Sequence, residues 1–298
     1  MTGRRFHGIY PMLYAFFDEG GALDRAAMRR QVEGCIAGGV HGLAVGGLAT
    51  ECGKLSREEK LTLFSWVLED AAGRVPVSVT VTAPSADEQI EMVRQAADLG
   101  AAWAVLQPPP VPEISEDDLV SFFGQVADAS PIPIGIQNAP QFIGIGLSNA
   151  GLIELNRRHP NVSILKAEGD AMHSHALAEE SRGVFDLFNG RNGVDLIDTL
   201  AAGFAGVIPS PDAADVQARI YELYRAGELG EAERRFREIA PLLGFLMLSL
   251  DHLMCYGKRL TARRLGLGEV HDRQPALAPS RFGLETMDRW SKGLGTMG

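Results

Sequence analysis

The chain of 298 residues is 46% hydrophobic and 22% charged, carries 34 glycines, and has a formal net charge of −10 at pH 7. This balance excludes a disordered chain, and the negative charge argues against nucleic acid or an anionic membrane as partner, leaving a small molecule as the default ligand. The length suits one large domain, or a domain of about 250 residues with an appendage.

Met1-Thr-Gly-Arg-Arg-Phe-His7 has no apolar core of the signal-peptide kind. No uncharged stretch reaches the ~18 residues of a membrane span, so a soluble, cytoplasmic protein is expected. From Ile9 to about Ala226, short apolar runs alternate with helical patterns. Strands are predicted at Ile9 to Phe16, Gly42 to Val45, Val75 to Val81, Trp103 to Leu106, Ile132 to Gln137, Val162 to Lys166, Val184 to Asn189 and Ala205 to Ile208. These βα units fit an α/β fold of the closed (β/α)8, or TIM-barrel, type. In the third strand, Val75, Val77, Val79 and Val81 alternate with Ser78, Thr80 and Thr82, which sends valines to the helix ring and small polar side chains to the barrel interior. An open doubly wound sheet is the competing architecture, but no G-x-G-x-x-G follows the first strand.

Capping boxes are predicted at Ser56 to Glu59 and Ser85 to Glu88, with a weaker version at Ser115 to Asp118. The helix after Ser56 should bury Leu61, Phe64, Leu68 and Ala71. Beyond Leu229 the rhythm stops, and helices are predicted at Glu231 to Tyr256, Thr261 to Leu265 and Arg281 to Leu294, with a stripe of Phe236, Ile239, Leu242, Leu243, Leu246 and Met247. A barrel over residues 1–226 and a C-terminal helical region over 227–298 follow. Cys35, Cys52 and Cys255 are too widely spaced for a zinc site or a disulfide framework, and the His and Asp residues show no ligand spacing, so no metal is expected.

In such a barrel the chemistry sits just past the C-terminal ends of the strands. Lys166 closes the run Val162-Ser-Ile-Leu-Lys166 before the turn Ala167-Glu168-Gly169-Asp170. An amine at a buried strand end loses hydration, which favours the neutral form that attacks a carbonyl; the alternative is a lysine that snorkels to the surface. Gly46-Gly-Leu-Ala-Thr-Glu51 after strand two offers backbone amides to an anion, or is a plain flexible loop. Gln137 stands at the end of strand five within Gln137-Asn-Ala-Pro140.

Together these segments resemble the dihydrodipicolinate synthase and N-acetylneuraminate lyase superfamily of Schiff-base lyases and aldolases. Its G-T-T-G-E loop is answered by Gly47-Leu48-Ala49-Thr50-Glu51, its strand-six lysine by Lys166, its turn after strand seven by Gly190-Arg191-Asn192, and its strand-eight ending by Gly203-Phe-Ala-Gly-Val-Ile208-Pro-Ser210. The likeness runs over nearly the whole chain and implies a homo-oligomer, dimer or tetramer. The departures matter more. The proton-relay tyrosine is replaced by Gln137, the tyrosine after strand four falls within Pro108-Pro-Pro110, the carboxylate-binding arginine is answered by Phe142 or a neighbour, and Leu48 and Ala49 stand for the two threonines. The pattern with Lys166-x-Glu168 is instead similar to the branch of 2-keto-3-deoxy sugar-acid dehydratases that contains L-2-keto-3-deoxyarabonate dehydratase.

The expected reaction is dehydration of a 2-keto-3-deoxy acid through a Lys166 iminium and enamine, with the covalent Schiff base taking the place of a cofactor. Glu168 is the candidate acid or base, or else a helix cap or solvated carboxylate. Gln137 would orient the substrate, Gly47, Leu48, Ala49, Thr50 and Glu51 would serve its carboxylate, and Asn138, Gly190, Arg191, Asn192 and Ile208 complete the expected binding set. Arg191 reads equally as a surface salt-bridge partner, and His41 as structural; Tyr14 fills the barrel or replaces the missing relay phenol. The alternatives are an aldolase, a synthase-like condensation using pyruvate, and a non-catalytic keto-acid-binding protein.

Overall fold

The computed structural model describes residues 6–298. Eight parallel strands follow one another in the order β1-β8-β7-β6-β5-β4-β3-β2. They are β1 (Gly8–Ile9), β2 (Leu43–Val45), β3 (Val77–Val81), β4 (Trp103–Leu106), β5 (Ile134–Asn138), β6 (Val162–Ala167), β7 (Asp186–Asn189) and β8 (Gly206–Val207). The remaining gap is bridged where Met12 pairs with Ala44, through Leu13 N to Ala44 O at 2.8 Å and Ala44 N to Pro11 O at 3.0 Å. The sheet thus becomes the predicted (β/α)8 barrel with helices between its strands. The first strand is shorter than the expected Ile9 to Phe16 because Pro11 has no N–H for a ladder and pairing continues only at isolated positions.

On β3, Val77, Val79 and Val81 are buried, while Ser78 and Thr80 are fully buried with hydroxyls that lack a partner. Trp103, Tyr10 and Phe188 pack in the core with ring centroids 5.4–5.8 Å apart, each contributing about 1.5–3 kcal/mol of burial.

Ser56 forms the full reciprocal box with Glu59, whereas Ser85 accepts from the Glu88 amide but gives its hydroxyl to the same carboxylate, so only half a box forms there. The helix after Ser56 buries Leu63, Phe64, Val67 and Ala71; Leu61 and Leu68 are only half-buried, so the core stripe is rotated from the predicted one.

The single helix expected over Glu231 to Tyr256 is broken. Leu229–Leu246 ends at Met247, and Ser249 in extended conformation caps a new start, its hydroxyl accepting from the His252 amide at 3.0 Å. The chain then runs through a wide turn at Leu253–Gly257 into Lys258–Arg264, at 108° to the first helix. Ile239 and Leu243 join the barrel core, while Leu242 and Leu246 pack with Leu253, Tyr256 and Leu260 in a second cluster. The bend carries Met247, Leu250 and Leu253 over the C-terminal mouth of the barrel. Among the described residues, no single helix is long and apolar enough to cross a membrane.

Candidate active site

Register explains how the site is assembled. Val81 pairs with Leu106, Leu106 with Ile136, and Ile136 with Leu165. One residue further on, Thr82, Gln107, Gln137 and Lys166 therefore form a row across four neighbouring strands, all turned to the same face. Lys166 Nζ donates to Glu168 Oε1 at 2.8 Å. Glu168 lies on the same side because it is two residues further along the extended chain. Both are buried, at 4% and 7% exposure. Gln137, fully buried, donates its amide Nε2 to the same Glu168 oxygen at 3.0 Å and accepts at Oε1 from Gln107 Nε2 at 2.8 Å. Gln107 Oε1 in turn accepts from the Thr82 hydroxyl, with Cys52 Sγ 3.8 Å away. Gln141 donates to the Glu168 backbone carbonyl from the short helix Pro140–Ile143.

One cleft gathers Lys166, Glu168, Leu48, Ala49, Gly190, Arg191, Asn192 and Ile208, with Met12, Ser210, Met247, Leu250 and Leu253 completing its wall. The loop after β2 starts with Gly46 at φ +89°, where a side chain would strike the Phe64 ring and the Thr80 carbonyl, both 2.7 Å away. Gly46 N donates to the Thr50 hydroxyl at 3.0 Å, and that hydroxyl donates to Leu13 O at 2.7 Å; the Thr50 amide reaches Gly47 O. Thr50 has therefore spent both groups expected to face a carboxylate. Gly47 turns its amide to Met12 Sδ, and the Glu51 amide donates to Leu48 O at 2.9 Å, so neither offers a donor to the cleft. Among the described residues, the amides of Leu48 and Ala49 donate to no group, and both residues line the cleft.

Glu51 points away from the cleft to the fully buried Lys258 and to Lys54 at 2.5 Å. Asp272 lies 3.9 Å from Lys258, so the loop is fastened to the C-terminal helices by a buried ionic cluster.

The turn after β7 runs through Arg191, Asn192 and Gly193, all at positive φ. Arg191 pairs with Asp195 at 2.5 Å, as its salt-bridge reading anticipated. Asp195 titrates above the usual carboxylate range because burial outweighs that cation. Asn192 accepts at Oδ1 from the Ser210 amide and hydroxyl, both at 2.8 Å, and donates to Asp212 at 3.2 Å. The Tyr14 hydroxyl donates to the same Asp212 at 3.1 Å and is fully buried. It does not line the cleft, and of its two readings the structure matches the one in which Tyr14 fills the barrel, held by Asp212. Burial pushes both the Tyr14 phenol and the Asp212 carboxyl upward. His41 accepts from the Ile9 amide and pairs with Glu222 near the start of β2, away from the strand ends that carry Lys166. Asn138 is tied by both side-chain ends to Leu147 and borders a neighbouring cleft that shares Glu168 and Arg191 with the first.

Sequence reasoning missed Gln107, although it directly follows β4 and the strand-end rule covers it; the Pro108-Pro-Pro110 run drew the reading past it. Asp212 and Lys258 carried no local signal, and Met247 was legible only as part of a helical stripe, because their places depend on the C-terminal turns. Among the described residues, no three His, Cys, Asp or Glu side chains are grouped to hold a metal ion.

A barrel whose sixth strand ends in a buried lysine–carboxylate pair beside a cleft is built as a lyase site. Residues 5–280 match the model of the dihydrodipicolinate synthetase family, and the chain belongs to that family. It is 32% identical to a 4-hydroxy-tetrahydrodipicolinate synthase of Methanoculleus marisnigri over 83% of this chain and 86% of that one. It is 30% identical to an L-2-keto-3-deoxyarabonate dehydratase of Azospirillum brasilense over 80% of this chain and 79% of that one. The fold also matches a prophage protein of the dihydrodipicolinic acid synthase family from E. coli, solved with pyruvate, with TM-score 0.88 and 24% identity over 98% of this chain and 99% of that one.

Proposed function

We propose that this lyase dehydrates a 2-keto-3-deoxy sugar acid through a Schiff base on Lys166. The observation that carries the reading is the Lys166–Glu168 contact of 2.8 Å with an amide, Gln137, beside it where a phenol would serve a relay. Lys166 would pass a proton to Glu168 and attack the C2 ketone as the free amine; Glu168 then returns that proton to the carbinolamine hydroxyl, which leaves as water, giving the iminium and an ionised Glu168. The amides of Leu48 and Ala49 are placed to receive the substrate carboxylate. Glu168 as carboxylate would take the C3 proton, and the C–H electron pair would become the enamine double bond while the iminium nitrogen gains its lone pair. That pair then returns as the C3–C4 double bond forms and the C4–O bond breaks, with the departing oxygen taking the proton from Glu168 and leaving as water. Hydrolysis of the unsaturated iminium frees the product. No step calls for a metal or a bound cofactor.

Relatives named as 4-hydroxy-tetrahydrodipicolinate synthase at 30–32% identity favour a second reading, condensation of pyruvate with an aldehyde at the same lysine. Borohydride trapping with pyruvate and with a 2-keto-3-deoxypentonate, read by intact mass and peptide mapping, separates the two. A Lys166 adduct of the longer acid lacking one water beyond that expelled in imine formation supports dehydration. An adduct with pyruvate only, together with turnover when an aldehyde is added, supports condensation, and no adduct with either acid removes the Schiff-base reading.

A further inference from the structure

We propose that Thr82, Gln107 and Gln137 form a reversible amide chain whose two orientations match the two protonation states of Glu168. This rests on Glu168 as the proton carrier of the reaction and assigns Gln107 as a positioning residue.

In the present orientation every donor points toward Glu168. Thr82 donates to Gln107, Gln107 Nε2 to Gln137 Oε1 at 2.8 Å, and Gln137 Nε2 to Glu168 Oε1 at 3.0 Å, where Lys166 Nζ also arrives. Such a chain fits an ionised carboxylate, which can only accept. Suppose Glu168 gains a proton. Its hydroxyl can donate to Gln137 Oε1 once that amide turns over; Gln137 Nε2 then meets Gln107 Oε1, and Gln107 Nε2 meets the Thr82 oxygen. Both amides keep a partner in either state, because an amide carries a donor at one end and an acceptor at the other. Thr82 can end the chain both ways because a hydroxyl donates and accepts. Gln107 and Gln137 are buried, at 4% and 0% exposure, so an amide caught in the wrong orientation has little water to rescue it. The reaction needs Glu168 to receive a proton at one step and give it up at the next, and a fixed donor would oppose one of them.

The other groups around Glu168 are Lys166 on its own strand, Asp170 and His173 beyond it, and Arg191, paired with Asp195, from the turn after β7. The chain enters from the opposite side, through β5, and is separable from them by substitution.

Gln107 lines neither cleft, and three variants isolate it: Gln107→Glu, Gln107→Met and Thr82→Val. An ionised glutamate at 107 can only accept, so it turns Gln137 Nε2 away from Glu168 and presents Oε1 to it. The acidic limb of the kcat–pH profile is expected to move up by about one unit or more in Gln107→Glu. In Gln107→Met the limb should move less, with kcat down about tenfold. Thr82→Val removes the end partner from both orientations, so the limb should stay closer to its unsubstituted position than in Gln107→Glu. Infrared difference titration of the Glu168 carboxylate against Glu168→Gln, on protein without substrate, reads the same chain independently of turnover. If that titration moves as expected but Lys166 traps no keto acid, the chain stands and the reaction reading falls. If Gln107→Glu folds, by thermal melting, and leaves the Glu168 titration where it is in the unsubstituted protein, the proposal is overturned.

Discussion

Gly190 stands so close to Glu168 that a methyl group in place of its hydrogen would lie 2.6 Å from the Glu168 carboxyl carbon and 2.8 Å from each carboxylate oxygen. The turn after β7 is thus shaped by the carboxylate on β6. Gly190→Ala must push Glu168 away from Lys166 and Gln137 or displace the turn itself. The expected outcome is a fall in kcat of at least about tenfold, roughly 1.4 kcal/mol of transition-state stabilisation. Steady-state kinetics on the variant and a thermal melt check it; full activity would mean that Glu168 need not hold its place.

Glu168→Gln keeps the size of the side chain and removes the base. Lys166 should still be trapped by pyruvate and borohydride, though more slowly, because solvent can accept the ammonium proton that Glu168 would otherwise take. Turnover should fall by about 10²–10⁴, the usual worth of a positioned general base. Loss of trapping together with turnover would show instead that Glu168 serves mainly to deprotonate Lys166.

Lys258 is fully buried against Glu51, with Asp272 3.9 Å away and the Phe17 ring 5.3 Å below its ammonium. Lys258→Met leaves Glu51 dependent on Lys54 alone, and unfolding in denaturant should become easier by about 3 kcal/mol, the low end for breaking a buried pair. The double variant Lys258→Met with Glu51→Leu should recover much of that loss, because two charges leave the interior together. A double variant as unstable as the sum of the single ones would contradict a direct coupling.

The Asp212 carboxyl is pushed up by burial, against three donors, Ser210, Asn192 and Tyr14, that favour its ionised form. A carboxyl raised in the folded state keeps its proton there after the unfolded chain has lost it, so the folded protein binds more protons and its stability falls as pH rises. The loss begins near the unfolded value of about 4 and ends at the folded one. Unfolding free energies measured across that window should decline more steeply for the native chain than for Asp212→Asn. Equal slopes would show that Asp212 ionises alike in both states.

The strand ends were legible because most βα units repeat the same local code: a short apolar run, a turn, a capped helix. Lys166 and Glu168 could be placed on one side from their spacing alone, since an extended chain alternates faces. Gln137 followed from the same rule, and Gln107 obeyed it too but was hidden by three prolines. Thr50 and Tyr14 lay beyond such rules. Their hydroxyls have the right chemistry for a site, and only the positions of Leu13 and Asp212, 37 and 198 residues away along the chain, decide where those hydroxyls go.

The sequence by itself determined the barrel, its helix starts and the lysine–carboxylate pair, because periodicity, capping and two-residue alternation act over a few neighbouring residues. Tertiary structure alone decided that Glu51 would lock onto Lys258, that the helix after Leu229 would break at Ser249 and lay Met247 over the mouth, and that Thr82, Gln107, Gln137 and Glu168 would join in one line of hydrogen bonds. Those relations depend on strand register and on how distant segments pack, and no local pattern of side chains encodes a distance across the barrel.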